Sequence, residues 1–134
     1  MIEFVWPQTN GEWLAWTSAC LMLVFGMWMF LIPRWWLTFV GLASDSQYQD
    51  APQILTAMRG TIAGGNIGLG LAVLFLHPQP LLYLALGSTM LFRAIGRFVS
   101  MAIYRANSKI NLIALIFEGL MAFFPLAYVF GLIV

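Results

Sequence analysis

Four long apolar stretches follow one another along the chain, separated by short polar segments. A helix needs about 20 mostly apolar residues to cross roughly 30 Å of hydrocarbon, and each stretch reaches that length. Tryptophans typical of membrane interfaces flank the first stretch, Trp13 and Trp16 at one end and Trp35 and Trp36 at the other. The pattern predicts four transmembrane helices, at about residues 13–32, 54–76, 81–104 and 110–133.

Composition agrees with an exterior that faces lipid. The chain is 62% hydrophobic and only 8% charged, whereas a soluble domain carries about 25% charged residues. Its 134 residues have room for one domain. We therefore predict an all-α fold, an integral membrane four-helix bundle that forms a single transmembrane domain over residues 1–134 and contacts the lipid bilayer. The net charge of +1 and the lack of a basic tract argue against a nucleic-acid partner.

Loop charge predicts the orientation of the bundle. Four spans place both termini and the turn at residues 77–80 on one side, which carries two glutamates and no Lys or Arg. The other side, with the long loop at residues 33–53, carries Arg34, Arg105 and Lys109. Because cytoplasmic loops are enriched in Lys and Arg, we expect this second side in the cytoplasm and both termini outside.

Polar residues inside three of the spans recur three, four or seven positions apart. Residues at these spacings lie on one face of a helix, so each of the three spans carries a polar stripe. The stripes consist of Arg59 and Asn66 on the second span, Thr89, Arg93, Arg97 and Ser100 on the third, and Asn111 and Glu118 on the fourth.

The four charged members of these stripes share a similar depth. At a rise of 1.5 Å per residue, Arg59, Arg93, Arg97 and Glu118 lie roughly 8–16 Å from the cytoplasmic ends of their spans. Charges in a membrane are costly and usually pair or face water. We therefore predict one buried charge cluster in which Glu118 bridges to Arg93 or Arg97.

Two interpretations of this cluster stay open at the level of sequence. In one, it is an internal ion-pair network that fixes the order of the helices. In the other, three arginines facing one glutamate leave positive charge without a partner inside the chain. A phosphate headgroup, a carboxylate-bearing ligand or an acidic residue on another subunit would then supply the partner.

Glycine recurs every fourth residue on the second span, at Gly60, Gly64 and Gly68. Such small-residue ridges allow two helices to approach closely in a membrane. The ridge is interpreted either as internal packing against the third or fourth helix, or as a surface for a homo-oligomer or another membrane protein.

Residues suited to catalysis or to metal binding are sparse. His77 is the only histidine and lies in a turn beside Pro78, while Glu118 is the only acidic residue within the predicted spans. Cys20 stands alone in an apolar run. We therefore predict no catalytic residues, no metal site and no cofactor.

A resemblance rests on motifs within residues 58–128. The motif residues are Arg59-Gly60 at the start of a glycine-rich helix, Arg93-x-x-Gly96-Arg97-x-x-Ser100, and Glu118-Gly119. This pattern resembles a family of small bacterial four-helix membrane proteins classed only as a domain of unknown function. The resemblance implies a multi-pass protein of the bacterial inner membrane and marks Arg59, Arg93, Arg97 and Glu118, but it implies no substrate.

Two functions from different classes remain. The first is a non-catalytic accessory or scaffold subunit that docks on other membrane proteins through its helix faces, within a larger membrane complex or a homo-oligomer. The alternative is a binder or carrier of an anionic amphiphile or lipid that uses the intramembrane arginine cluster.

Overall fold

The computed structural model describes residues 5–35, 56, 58–76, 80–105 and 107–133. The predicted loop beyond residue 35, the start of the second span at residue 54 and the turn residue His77 lie outside the described residues. Four helices in the described part are long and apolar enough to cross a membrane. The prediction of an all-α four-helix bundle is confirmed, and the chain is a multi-pass membrane protein.

The helices differ from the predicted spans by a few residues at their ends. They are α1 (Asn10–Leu31), α2 (Gly64–Leu76), α3 (Pro80–Tyr104) and α4 (Lys109–Val129). A π-helical segment, Met58–Ala63, leads directly into α2, so the second apolar helix runs over Met58–Leu76. A π-helix has i→i+5 hydrogen bonds and therefore turns less per residue than an α-helix.

Side-chain caps explain where two of the helices begin. The Thr9 hydroxyl accepts a hydrogen bond from the Glu12 backbone N–H at 3.2 Å, so α1 begins three residues before the predicted start. The Ser108 hydroxyl caps α4 in the same way, by accepting from the Asn111 N–H at 3.2 Å. Arg105 follows the last residue of α3 with a φ of 53°. This left-handed conformation is common where a helix ends.

The order of contacts places α1 between α2 and α4. The α3–α4 pair has the most extensive contact, followed by α1–α2 and then α1–α4, whereas α2 and α3 touch over a small area. The bundle is thus two tightly packed helix pairs, α1–α2 and α3–α4, joined mainly through α1 and α4.

All four helices contribute to one hydrophobic core. Its members are small or flexible side chains together with one tyrosine: Ala15, Ala19, Met22, Val73, Tyr83, Leu86, Met90, Met121 and Ala122. Small residues let helix backbones approach closely in a membrane, and methionine fills irregular gaps.

Glycines mark the closest helix crossings. A Cβ added at Gly26 of α1 would lie 2.8 Å from the Asn66 Cβ, and one added at Gly70 of α2 would lie 3.3 Å from the Ala19 carbonyl oxygen. In the other pair, a Cβ at Gly87 of α3 would lie 2.5 Å from the Leu126 Cγ. Gly11 of α1 is a fourth such position, because a Cβ there would lie 3.1 Å from the Tyr128 ring. These four positions, and not the predicted ridge, are the packing glycines among the described residues.

Candidate functional site

A charged network joins α3 to α4 in the half of the bundle that holds the loop between them. Arg97 donates from Nε to Glu118 Oε2 and from Nη2 to Glu118 Oε1, both at 2.8 Å. Its Nη1 donates to the Asn111 Oδ1 at 3.2 Å. The predicted contact between Glu118 and an arginine of the third span is therefore present, with Arg97 as the partner.

The spacing along α3 and α4 explains this geometry. Asn111 and Glu118 are seven residues apart on α4 and so lie on one face, where a single guanidinium reaches both. A planar guanidinium presents its N–H groups as a fork that matches the two oxygens of a carboxylate. The side chains of Arg97 and Glu118 are 33% and 17% exposed, so both are partly buried.

Arg93 lies one turn from Arg97 and is half-buried. Among the described residues it forms neither a hydrogen bond nor an ion pair, although Glu118 is close enough to act on it electrostatically. The three charges therefore sum to about +1, because one carboxylate faces two guanidinium groups.

Arg59 does not join this cluster, contrary to the prediction. It is exposed, and its Nε donates to the Phe30 carbonyl oxygen in the last turn of α1 at 2.9 Å. The last carbonyls of a helix have no partner within the helix, so Arg59 satisfies one of them. Depth along a helix does not specify the direction in which a side chain points.

Asn66 also departs from the predicted stripe. It is 2% exposed and packs against Gly26 at the α1–α2 crossing, whereas Arg59 is exposed. The seven-residue spacing assumed an α-helix, but the π-helical segment between the two residues changes the angle between their side chains. Among the described residues, no donor reaches the buried Asn66 Oδ1.

The remaining members of the stripe on α3 stay outside the network. The Thr89 hydroxyl donates to the carbonyl oxygen of Ala85 on its own helix, at 2.8 Å. Ser100 is exposed. Of the four polar residues predicted to act together on this helix, the structure therefore brings only Arg97 into hydrogen bonding with α4.

The glycine ridge faces away from the other helices. Among the described residues, a Cβ added at Gly60 or Gly68 would meet no atom within 4 Å. One added at Gly64 would meet only the Arg59 carbonyl oxygen of its own helix, at 3.3 Å. The interpretation of the ridge as internal packing against the third or fourth helix is wrong, because α2 packs chiefly on α1 through its opposite face.

A second polar cluster, which the sequence argument missed, lies at the other end of the bundle. The Tyr128 hydroxyl donates to Glu12 Oε1 at 2.9 Å, and the backbone N–H of Gln8 donates to Glu12 Oε2 at 2.7 Å. The ring of the fully buried Tyr83 packs edge-on against Tyr128, with centroids 5.3 Å apart. The Thr9-x-x-Glu12 capping signature could have indicated that Glu12 lies within the first turn of a helix.

The described residues offer hydrogen bonding and charge but little reactive chemistry. They include no group of three His, Cys, Asp or Glu that could hold a metal ion. Both carboxylates described above accept hydrogen bonds from groups that tie helices together. Both carboxylates therefore act in contacts between helices.

Comparison with known proteins identifies no similar protein. The chain matches no protein-family model, no curated protein and no solved structure. The resemblance to a family of small bacterial four-helix membrane proteins stays a prediction.

Proposed function

We propose that this chain is a non-catalytic accessory or scaffold subunit that docks on another membrane protein. The docking surface is the outward glycine face of the second span, which we define as Gly60, Gly64, Gly65 and Gly68. We place the protein in the bacterial inner membrane, with the end that carries Arg105 and Lys109 in the cytoplasm and both termini in the periplasm.

One observation carries this proposal: the outward glycine face has no neighbour in the described part of the chain. An added Cβ at Gly60, Gly65 or Gly68 would meet nothing within 4 Å. The glycines that the bundle uses for its own packing are different ones, at positions 11, 26, 70 and 87. The tandem spacing is therefore not explained by the contacts among the described helices.

The chemistry of the bilayer favours a helix as the partner of such a face. Lipid tails are as apolar as aliphatic side chains, so helix association depends on close packing rather than on removal of apolar surface from water. A bare glycine backbone lets a partner helix approach closely and gain dispersion contacts along the ridge. A second helix therefore packs more closely on the outward glycine face than disordered lipid chains do.

The intramembrane arginines support the alternative function less well. The fork of Arg97 is occupied by Glu118 and Asn111, and Arg59 points to the end of α1. This leaves Arg93 as the member of the predicted cluster whose guanidinium has no hydrogen-bond acceptor among the described residues. One half-buried guanidinium is a weak basis for a carrier of anionic amphiphiles.

Gly68→Leu tests the docking surface, with Gly96→Leu as its matched control. Position 96 on α3 is also open to its surroundings, because an added Cβ there meets nothing within 4 Å. We expect both variants to fold, since neither adds a contact within the bundle. Only Gly68→Leu should reduce the mass of the native assembly in mild detergent.

Photo-crosslinking residues at positions 68 and 96 identify the partner in native membranes. A defined adduct from position 68 and none from position 96 supports the proposal. An adduct of twice the 15.0 kDa chain mass identifies a second copy of this chain as the occupant instead. Unchanged assembly in Gly68→Leu, with equal adducts from both positions, would show that the glycine face contacts lipid.

A further inference from the structure

A pocket opens where α1 ends, beside the π-helical segment that begins the second span. Its volume is about 280 Å³, and Leu31, Ile32, Pro33, Arg34 and Arg59 line it. Typical pockets for whole small molecules measure about 300–1,000 Å³. A pocket of this size therefore suits one polar group rather than an entire lipid or drug-sized ligand.

Arg59 offers the pocket a partly used guanidinium. Its Nε is committed to the Phe30 carbonyl oxygen at 2.9 Å, which fixes the plane of the group. Guanidinium carries five N–H donors, so four remain on the two Nη atoms. Among the described residues, these four donors have no acceptor. A guanidinium held in one plane with its outer edge free matches two oxygens of a phosphate.

Arg59 gives the pocket a positive charge even though a helix ends there. The C-terminal end of a helix carries about −0.5 of an elementary charge. The guanidinium of Arg59 brings a full positive charge to the pocket wall, and its Nη donors have no acceptor among the described residues. Arg34 also lines the pocket but makes a further contact of its own, so Arg59 is the group that favours an anion here.

The surroundings of the pocket are those of a membrane interface. Leu31, Ile32 and Trp35 are exposed at the end of α1, next to the two arginines. Tryptophan at the end of a transmembrane helix typically lies at the level of the lipid headgroups. Exposed aliphatic side chains beside a cationic pocket present an apolar surface to acyl chains and guanidinium groups to the phosphate.

We propose that this pocket binds the phosphate of an anionic phospholipid, with the Nη groups of Arg59 as the donors. Arg59 directly precedes Gly60 of the outward glycine face, but the lipid site does not depend on the docking function. Phosphate is the shared chemistry, and it can come from a lipid headgroup or from free phosphate in solution.

Native mass spectrometry of the full chain in mild detergent tests the proposal. The probes are phosphatidylglycerol, phosphatidylcholine and inorganic phosphate, each added separately. We expect the wild-type protein to retain phosphatidylglycerol in preference to phosphatidylcholine. Arg59→Gln should weaken phosphatidylglycerol retention about fivefold, because one basic residue near the surface contributes about 1 kcal/mol to binding of anionic lipid. Arg105→Gln makes the same charge change outside the pocket and should leave retention unchanged.

The retention measured for each variant either supports or overturns the lipid site. Equal retention by wild type and Arg59→Gln overturns it, and so does an equal loss in Arg105→Gln, which would indicate general attraction to the basic end of the bundle. Inorganic phosphate that binds alone and displaces phosphatidylglycerol supports the site and identifies free phosphate as its source. If Arg59→Gln does not fold because the end of α1 is left uncapped, Arg59→Lys provides the test. It keeps a cation near the Phe30 carbonyl but loses the planar fork, so it should lower retention of the same lipid.

Discussion

Arg97 and Glu118 are joined at two points, with Nε 2.8 Å from Oε2 and Nη2 2.8 Å from Oε1. The pair couples α3 to α4. Asn111 takes a third hydrogen bond from the same guanidinium. Because the pair is neutral as a unit, the charge left over in this part of the bundle is that of Arg93.

We expect Glu118→Gln to destabilise the protein by about 3–5 kcal/mol, because it leaves two guanidinium groups without a carboxylate. Arg97→Gln should cost less, since Glu118 then remains within electrostatic reach of Arg93 and their charges cancel. Arg93→Gln should be neutral or stabilising, because it keeps the pair and removes a charge that costs roughly 2.5–3.5 kcal/mol at a helix centre. Thermal unfolding in mild detergent, followed by circular dichroism, measures this ranking.

Lys109→Gln is the control for this ranking, because Lys109 is exposed at the start of α4. It should change stability by no more than about 0.5 kcal/mol. Equal effects of the three variants at positions 93, 97 and 118 would mean that these side chains act independently and that the ion pair does not link the helices.

Gly87→Ala tests the crossing of α3 and α4. The added methyl group would lie 2.5 Å from the Leu126 Cγ and 3.2 Å from the Ala122 carbonyl oxygen, so the Leu126 side chain or the helices must shift. Overpacking of this kind typically costs about 1–3 kcal/mol. Gly96→Ala, on the same helix, meets nothing within 4 Å and should stabilise slightly through its better helix propensity. Thermal unfolding of the two variants should therefore shift in opposite directions.

Leu126→Ala extends this test to the residue that blocks the space. Combined with Gly87→Ala, it should remove part of the added cost, because the closest atoms belong to the Leu126 side chain and not to the backbone. A double variant whose destabilisation equals the sum of the two single effects would show that the leucine is not the source of the clash.

Tyr128→Phe tests the polar cluster at the other end of the bundle. The substitution removes the hydroxyl that donates to Glu12 Oε1 at 2.9 Å and leaves that carboxylate with one fewer donor. Hydrogen bonds to charged groups contribute about 1.5–3 kcal/mol, so we expect a loss of stability in that range. Tyr104→Phe is the matched control, since Tyr104 is 77% exposed, and its unfolding midpoint should match that of the wild type.

Cysteine labelling in spheroplasts tests the proposed orientation. In a Cys20→Ala background, Gln8→Cys and Asn107→Cys place single thiols at opposite ends of the bundle, both at exposed positions. We expect an impermeant maleimide to label position 8 directly and position 107 only after lysis. The reverse pattern would place the arginine-rich end outside the cytoplasm and contradict the positive-inside assignment.

Length and hydropathy were enough to predict the four spans. Crossing a bilayer requires a minimum number of apolar residues, and backbone polar groups in lipid must be satisfied within a helix, so a long apolar run has few alternative structures. The pairing of Glu118 with either Arg93 or Arg97 was predicted by similar reasoning, because a carboxylate within a span needs a cation at its own depth. These properties depend on each helix and on the bilayer, and the sequence by itself determined them.

Which faces meet was decided only by the tertiary structure. Gly60, Gly64 and Gly68 have the spacing of a packing ridge, yet the helix pairs pack through Gly26, Gly70 and Gly87. Spacing identifies residues that share a face, but the neighbour of that face depends on how the side chains of all four helices interlock.

The π-helical segment also altered the angle between Arg59 and Asn66, so Arg59 caps α1 and Asn66 is buried beside Gly26. Neither outcome is encoded in helical periodicity, because both arise from contacts between helices that are distant in sequence.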